Sequence, residues 1–135
     1  TIAPQVLRPL FAGADLHPCL LHGDLWHGNF HVCTDGNPIL LDPAAYWGHS
    51  ELDVASVSLL EAPQAAREFF RGYFAQVPRA IGFEHRADLY ALYPALRLWA
   101  TFPGDATASA RHSARCEHLA ASVLMRLGAS GGGVC

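Results

Sequence analysis

Apolar and polar positions change rhythm partway along the chain. Between Pro18 and Leu41 the apolar residues come in short runs: Pro18-Cys19-Leu20-Leu21, Phe30-His31-Val32-Cys33 and Pro38-Ile39-Leu40-Leu41. Clusters of Gly, Asp, Asn and His separate them. Runs of this length bounded by turn formers predict short strands. The last two flank Thr34-Asp35-Gly36-Asn37. An Asp-Gly pair between apolar runs predicts a β-hairpin, with Pro38 confined to a strand start. The first run delivers a loop that opens at His22.

From residue 50 onward the spacing becomes helical. Ser50-Glu51-Leu52-Asp53 has the form of a capping box and opens a helix through about Leu60. Pro63 suits the first turn of a second helix, which carries Ala66, Phe69, Phe70, Tyr73 and Phe74 to an end near Pro78. Residues 84–101 form a third, with Tyr90, Tyr93, Leu96 and Trp99 at helical spacing and a kink at Pro94. The last helix runs from about Thr107 to Leu127. There Cys116, Leu119, Ala120, Val123, Leu124 and Leu127 follow a 3.6-residue period. Upstream, Val6, Leu7, Leu10 and Phe11 make a short apolar face broken by Pro9 and Gly13. The pattern predicts a mainly helical α+β unit over residues 1–127 and a glycine-rich tail over 128–135.

Composition narrows the function classes. At 135 residues, 51% hydrophobic and 16% charged, the chain can bury a core and is not disordered over most of its length. A net charge of −3 with dispersed cations argues against a nucleic-acid partner. The cations are nine arginines, with no lysine anywhere. Cys19, Cys33, Cys116 and Cys135 are too irregular for a disulfide framework or a zinc site and read as thiols in a reducing compartment. No apolar run is long enough to span a bilayer, and the first residues lack a signal-peptide pattern. The expectation is a soluble, cytoplasmic chain with no membrane partner.

The chemistry concentrates in His22-Gly23-Asp24-Leu25-Trp26-His27-Gly28-Asn29 and in Asp42 beyond the hairpin. An acid, an amide five residues later and a second acid after a strand pair make the spacing of a phosphoryl-transfer site. Asp24 is expected to orient a substrate hydroxyl and accept its proton. Asn29 and Asp42, at neighbouring ends of the hairpin, supply hard oxygens for magnesium. Taken singly, each has a plainer reading as a turn or cap residue; the shared spacing favours the site. His22 is expected to hold the loop and the Asp42 strand together. Asp53 is either the acid of the capping box or a carboxylate bracing the His22–Asp24 loop. Trp26, Tyr46 and Trp47 are core aromatics or a platform for a sugar ring. A zinc site on His22, His27 and His31 is disfavoured, because Gly23 and Gly28 interrupt any single element carrying them.

The same residues resemble a known family. HGDLWHGN at 22–29 and DPAAYWGHSELDVA at 42–55 are similar to the signatures of the fructosamine/ketosamine kinases, HGDLW-x-GN and DPA-x-Y-x-GH-x-E-x-D-x-A. FEHRADLYALYP at 83–94 is similar to that family's C-terminal helices. Related aminoglycoside phosphotransferases share the HGD…N…D skeleton but usually lack the Trp and the DPA segment. The resemblance implies the C-terminal lobe of a protein-kinase-like fold and transfer of the ATP γ-phosphate to the third-carbon hydroxyl of a ketosamine. The unstable product then releases the free amine, a form of deglycation repair. It implies Asp24 as catalytic base, Asn29 and Asp42 as magnesium ligands, and Asp53 as a buttress of the loop. Protein kinases carry a lysine two residues after the base; Trp26 stands there instead and points away from protein-kinase-like substrates. A two-lobe kinase also needs a phosphate-covering loop and a strand lysine. The chain has no lysine, so a fragment without its nucleotide lobe is expected. It would be weak or inactive alone, self-associating, or completed by a lobe in trans. An aminoglycoside- or choline-type phosphotransferase lobe and a non-catalytic sugar-binding module stay open as alternatives.

Overall fold

Strands of three residues cannot bury a face of their own, and here they act as ties between loops. The computed structural model describes residues 7–60, 62–101 and 105–130. Val6 of the N-terminal apolar face and residues 131–135 of the tail, Cys135 included, lie outside them. The strands are β1 (Cys19–Leu21), β2 (Phe30–Val32), β3 (Pro38–Leu40) and β4 (Tyr46–Gly48). They form two antiparallel pairs, β1 with β4 and β2 with β3. The hairpin closes as its sequence predicts. Cys33 N–H donates to the Asn37 carbonyl at 2.8 Å, and Gly36, at φ 85°, donates to the Cys33 carbonyl at 2.9 Å. Asn37 donates its backbone and side-chain N–H groups to the Asp35 carboxylate, which holds that carboxyl below its ordinary value.

β4 is not visible in the sequence pattern. Tyr46-Trp47-Gly48 is too short to display alternation, yet it pairs with β1 in the register Leu21↔Tyr46 and Leu20↔Trp47. The segment after Asp42 therefore returns along the strand that precedes His22.

Four helices follow: α1 (Glu51–Leu60), α2 (Pro63–Gln76), α3 (Phe83–Thr101) and α4 (Ala106–Ser130). Each begins within a residue or two of its predicted start. Asp105 fixes the start of α4, because its Oδ1 accepts the N–H groups of Thr107 and Ala108, both at 2.9 Å. α4 runs on through Gly128 to Ser130, so the helix invades the expected tail. The architecture is mainly helical with two small strand pairs.

The chain divides into two compact units, one of residues 1–15 with 80–135 and one of residues 16–79. In the first, α3 packs along α4. Phe83, Ala91 and Ala95 are buried on α3, and Cys116, Leu119 and Val123 on α4. The large side chains Tyr93, Leu96 and Trp99 lie on the exposed side of α3, and Leu124 of α4 is exposed as well. Small residues at i and i+4 let two backbones approach, so the alanine stripe of α3, not the aromatic one, faces the core. The fully buried Arg86 donates from Nη1 to the Leu10 carbonyl at 2.9 Å and so holds the 3₁₀ turn Arg8–Phe11. Asp88 of α3 accepts from Ser122 and Arg126 of α4.

The second unit contains both strand pairs, α1 and α2. Its buried residues are Leu21, Asn29, Glu51, Val54, Ala55, Val57, Leu59 and Ala66. The hairpin strands β2 and β3 are exposed throughout. On α2 the rings of Phe69 and Tyr73, and of Phe70 and Phe74, stack pairwise at helical spacing, and the Arg79 guanidinium sits 4.5 Å above Phe74.

Replacing Arg86 with Ala removes a charged donor from the Leu10 carbonyl and opens a cavity in the first unit. A loss of about 3 kcal/mol is expected from the two effects together. Urea unfolding followed by circular dichroism measures it, and an unshifted midpoint would show that the buried guanidinium adds nothing.

Candidate active site

The loop after β1 is shaped by groups outside it. Asp53, near the start of α1, turns its carboxylate back on the chain: Oδ2 accepts His22 N–H at 2.6 Å and Oδ1 accepts Gly23 N–H at 2.9 Å. Of its two sequence readings, the contacts observed are those of a loop brace. Hydrogen bonds to an ionised acceptor are the strong kind, roughly 1.5–3 kcal/mol each. His22 adds a second tie. Its Nδ1 accepts Asp24 N–H at 3.3 Å and its Nε2 lies 2.9 Å from the Leu41 carbonyl. These partners assign the proton to Nε2, so the neutral ring donates to Leu41 and bridges the loop to the residue before Asp42.

Gly23 has φ 79°. A Cβ on it would run into the Ala44 carbonyl and stand 2.9 Å from Tyr46 Cε1. Only glycine meets both demands.

Asp24 and Asn29 are joined directly. Residues 27–29 make a 3₁₀ turn that folds Asn29 back, and the buried side chain donates from Nδ2 to the Asp24 carbonyl at 2.9 Å and to Asp24 Oδ2 at 3.2 Å. With the nitrogen so used, Oδ1 is the Asn29 atom a cation would take. Leu41 N–H donates to the Asn29 carbonyl at 2.8 Å, extending the hairpin ladder one step beyond β3. Asp42 follows at once and is exposed. It has φ 47°, the one positive value at a non-glycine among the described residues. Such a conformation costs on the order of 1–3 kcal/mol and tends to sit where function fixes the backbone.

An amide oxygen and a carboxylate at adjoining strand ends are hard donors. They fit a magnesium ion that keeps waters and takes phosphate oxygens, not an all-protein cage. Among the described residues no three His, Cys, Asp or Glu side chains converge on one point. His22, His27 and His31 face separate partners: the Leu41 carbonyl, the edge of Trp26 and the Gly28 carbonyl.

The aromatic candidates do not form one surface. Strand alternation puts Tyr46 and Trp47 on opposite faces of β4. Tyr46 turns toward Gly23, whereas Trp47 is 71% exposed beside its cross-strand partner Leu20. The Trp26 indole lies against Gly28, where a Cβ would meet its ring. Trp26 also lines an apolar cavity of about 750 Å³ with Leu25, Phe30, Leu40, Val57 and Phe69.

One participant and one largely buried pair escaped the sequence reading. Gly23 was quoted only as part of the motif, although a glycine squeezed between two chemistry-bearing residues signals a special φ. The pair of His49 Nδ1 and Glu51 Oε2, 3.8 Å apart and both largely buried, stands at the start of α1. An acid in a first turn gives no sequence sign that it is buried.

Comparison with known proteins points one way. The sequence profile described as fructosamine kinase matches residues 3–117. A chloroplastic protein-ribulosamine 3-kinase of Oryza sativa subsp. indica is 45% identical over 104 residues, covering 77% of this chain and 30% of its own. The ketosamine-3-kinase of Mus musculus is 39% identical over 93 residues, covering 69% of this chain and 29% of its own. A crystal structure from Haemophilus somnus 129PT, provisionally assigned as a fructosamine-3-kinase, is similar at 25% identity and a TM-score of 0.65, over 85% of this chain and 38% of that one. The chain thus spans about 30% of the length of the curated relatives it matches.

In Asp53→Asn one side-chain oxygen becomes an N–H₂ group facing a backbone N–H, so one of the two loop amides loses its acceptor. Hydrogen exchange at His22 or Gly23 should quicken by roughly 10- to 100-fold, the equivalent of one such bond. Equal protection in both proteins would remove Asp53 from the role of brace.

Proposed function

Because the chain belongs to the fructosamine kinase family, we propose that it carries the phosphoryl-transfer residues of an ATP-dependent kinase. The acceptor on this reading is a ketosamine, a fructosamine-type sugar amine phosphorylated on its third-carbon hydroxyl. The observation that carries the proposal is the junction of Asp24, Asn29 and Asp42: Asn29 holds Asp24 through its amide nitrogen while the hairpin brings Asp42 alongside.

Asp24 is assigned as the base. Its Oδ2 is oriented by Asn29, and its backbone N–H is fixed by His22, so the carboxylate is presented in one direction with little freedom to lose. In this role it aligns the sugar hydroxyl and takes its proton as the oxygen attacks phosphorus. Asn29 Oδ1 and the Asp42 carboxylate are assigned as the oxygens that hold magnesium. The ion, when bound, would neutralise charge on the transferred phosphoryl group. His22, Gly23 and Asp53 set the loop and touch no reactant. Trp26 is assigned to the sugar side of the site, next to the base. The lysine that clamps phosphates in two-lobe kinases has no counterpart, since the chain contains none. On this reading the complete reaction draws that contact from polypeptide beyond the span described, and the product's breakdown returns the free amine.

The test is γ-phosphate transfer to a fructosyl amine by an N-terminally extended form of the chain, followed by phosphorus NMR, with an aminoglycoside and choline as competing acceptors. Magnesium-dependent ATP binding by calorimetry accompanies it. Asp24→Asn should lower transfer by roughly 10²- to 10⁴-fold while leaving nucleotide binding within about twofold. Asp42→Ala should abolish the magnesium dependence of ATP binding. Transfer to the aminoglycoside in preference to the sugar amine would replace the substrate assignment. Magnesium-dependent binding that survives Asp42→Ala would remove Asp42 from the metal.

A further inference from the structure

Two glycines of the second unit face the same ring. A Cβ on Gly23 would stand 2.9 Å from Tyr46 Cε1, and one on Gly48 would stand 3.3 Å from Tyr46 Cε2. The phenyl ring of Tyr46, 38% exposed as a residue, therefore has the loop that presents Asp24 near one edge and its own strand near the other. Gly23 cannot gain a methyl group without moving the backbone or the ring, because the Ala44 carbonyl also blocks it; at Gly48 the first atom met is Leu21 Cδ1 at 2.9 Å, with Leu52 Cδ1 and the ring both at 3.3 Å. In the strand register Tyr46 is opposite Leu21, the residue just before the loop. It is also four residues after Asp42 on the segment that carries the second carboxylate.

We infer that Tyr46 is a positioning residue whose ring sets the separation between the His22–Asp24 loop and the Asp42–Gly48 segment, and so the separation of the base from the metal-binding carboxylate. This rests on the metal assignment to Asn29 and Asp42 made above. The hydrogen bonds already described pull the two segments together: His22 to Leu41, and the β1–β4 ladder. The Ala44 carbonyl stops Gly23 at the backbone, and the Tyr46 ring, with only two side-chain torsions, adds a second and stiffer contact beside it. Bound groups that must meet both carboxylates are sensitive to such a standoff; a misplacement of 1 Å can cost about 100-fold. The same geometry turns the ring of Tyr46 away from the face of β4 that carries Trp47, so the two aromatics serve different purposes.

The experiment uses the whole 135-residue chain labelled with nitrogen-15 and titrated with manganese in the presence of ATP. Paramagnetic broadening reports which amides the ion approaches. In the native chain the amides of Asp24, Asn29 and Asp42 should broaden together with one midpoint. Asp42→Ala should remove the effect. Tyr46→Phe keeps both ring edges and should hold the midpoint within about twofold. Tyr46→Ala should raise it by about tenfold or more, or separate the response of Asp24 from that of Asp42. Tyr46→Leu, which removes the ring but keeps an apolar side chain on the strand, should shift the midpoint in the same direction and serves if Tyr46→Ala does not fold. Broadening that is absent in the native chain, or unaffected by Asp42→Ala, overturns the metal assignment and the inference with it. Broadening lost in Asp42→Ala but native in folded Tyr46→Ala or Tyr46→Leu overturns the inference alone. A loss in Tyr46→Phe equal to that in Tyr46→Ala assigns the effect to the hydroxyl and overturns the ring as spacer.

Discussion

One carboxylate organises the second unit. Asp53 lies 31 residues from His22 along the chain, yet its two oxygens take the two consecutive amides on which the loop turns. A turn with φ 79° at Gly23 leaves those amides part-buried against α1, where a lost partner would cost part of the desolvation of a backbone group. The acid belongs to α1, which is anchored by the buried Val54, Ala55 and Val57. The loop thereby inherits the rigidity of a helix without being part of one. This is how a short, glycine-containing segment presents Asp24 in a fixed direction.

The remaining ties act on backbone in the same way. The His22 ring reaches the Leu41 carbonyl, Asn29 reaches the Asp24 carbonyl, and Leu41 reaches the Asn29 carbonyl. Each bond fixes the position of a neighbour of a chemistry-bearing residue.

Much of this was legible in the residues. The Asp35-Gly36 turn, the spacing from Asp24 to Asn29 and the return at Asp42 follow from local turn chemistry, which a sequence states openly. The helix starts at residues 51 and 63 do so too, through the Ser50 capping box and Pro63, and those of the last two helices follow from their helical spacing. What could not be read depends on partners far along the chain. β4 has three residues and no period of its own; its pairing with β1 makes it a strand. The inward stripe of α3 is Ala91 and Ala95, and small residues carry little hydrophobic signal beside Tyr93 and Trp99. Asp53 was ambiguous because the same acid, three residues after Ser50, fits a cap and a brace equally well; only its facing partners decide.

Asp42 shows how narrowly two independent demands can meet at one position. The chemistry assigned there asks for a carboxylate, which admits Asp and Glu. The backbone, at φ 47°, asks for a residue that tolerates the left-handed region, which admits Gly, Asn and Asp. Aspartate alone stands in both sets. A glutamate would keep the charge and lose the conformation, an asparagine the reverse, so the usual notion of a conservative exchange has no meaning at this residue.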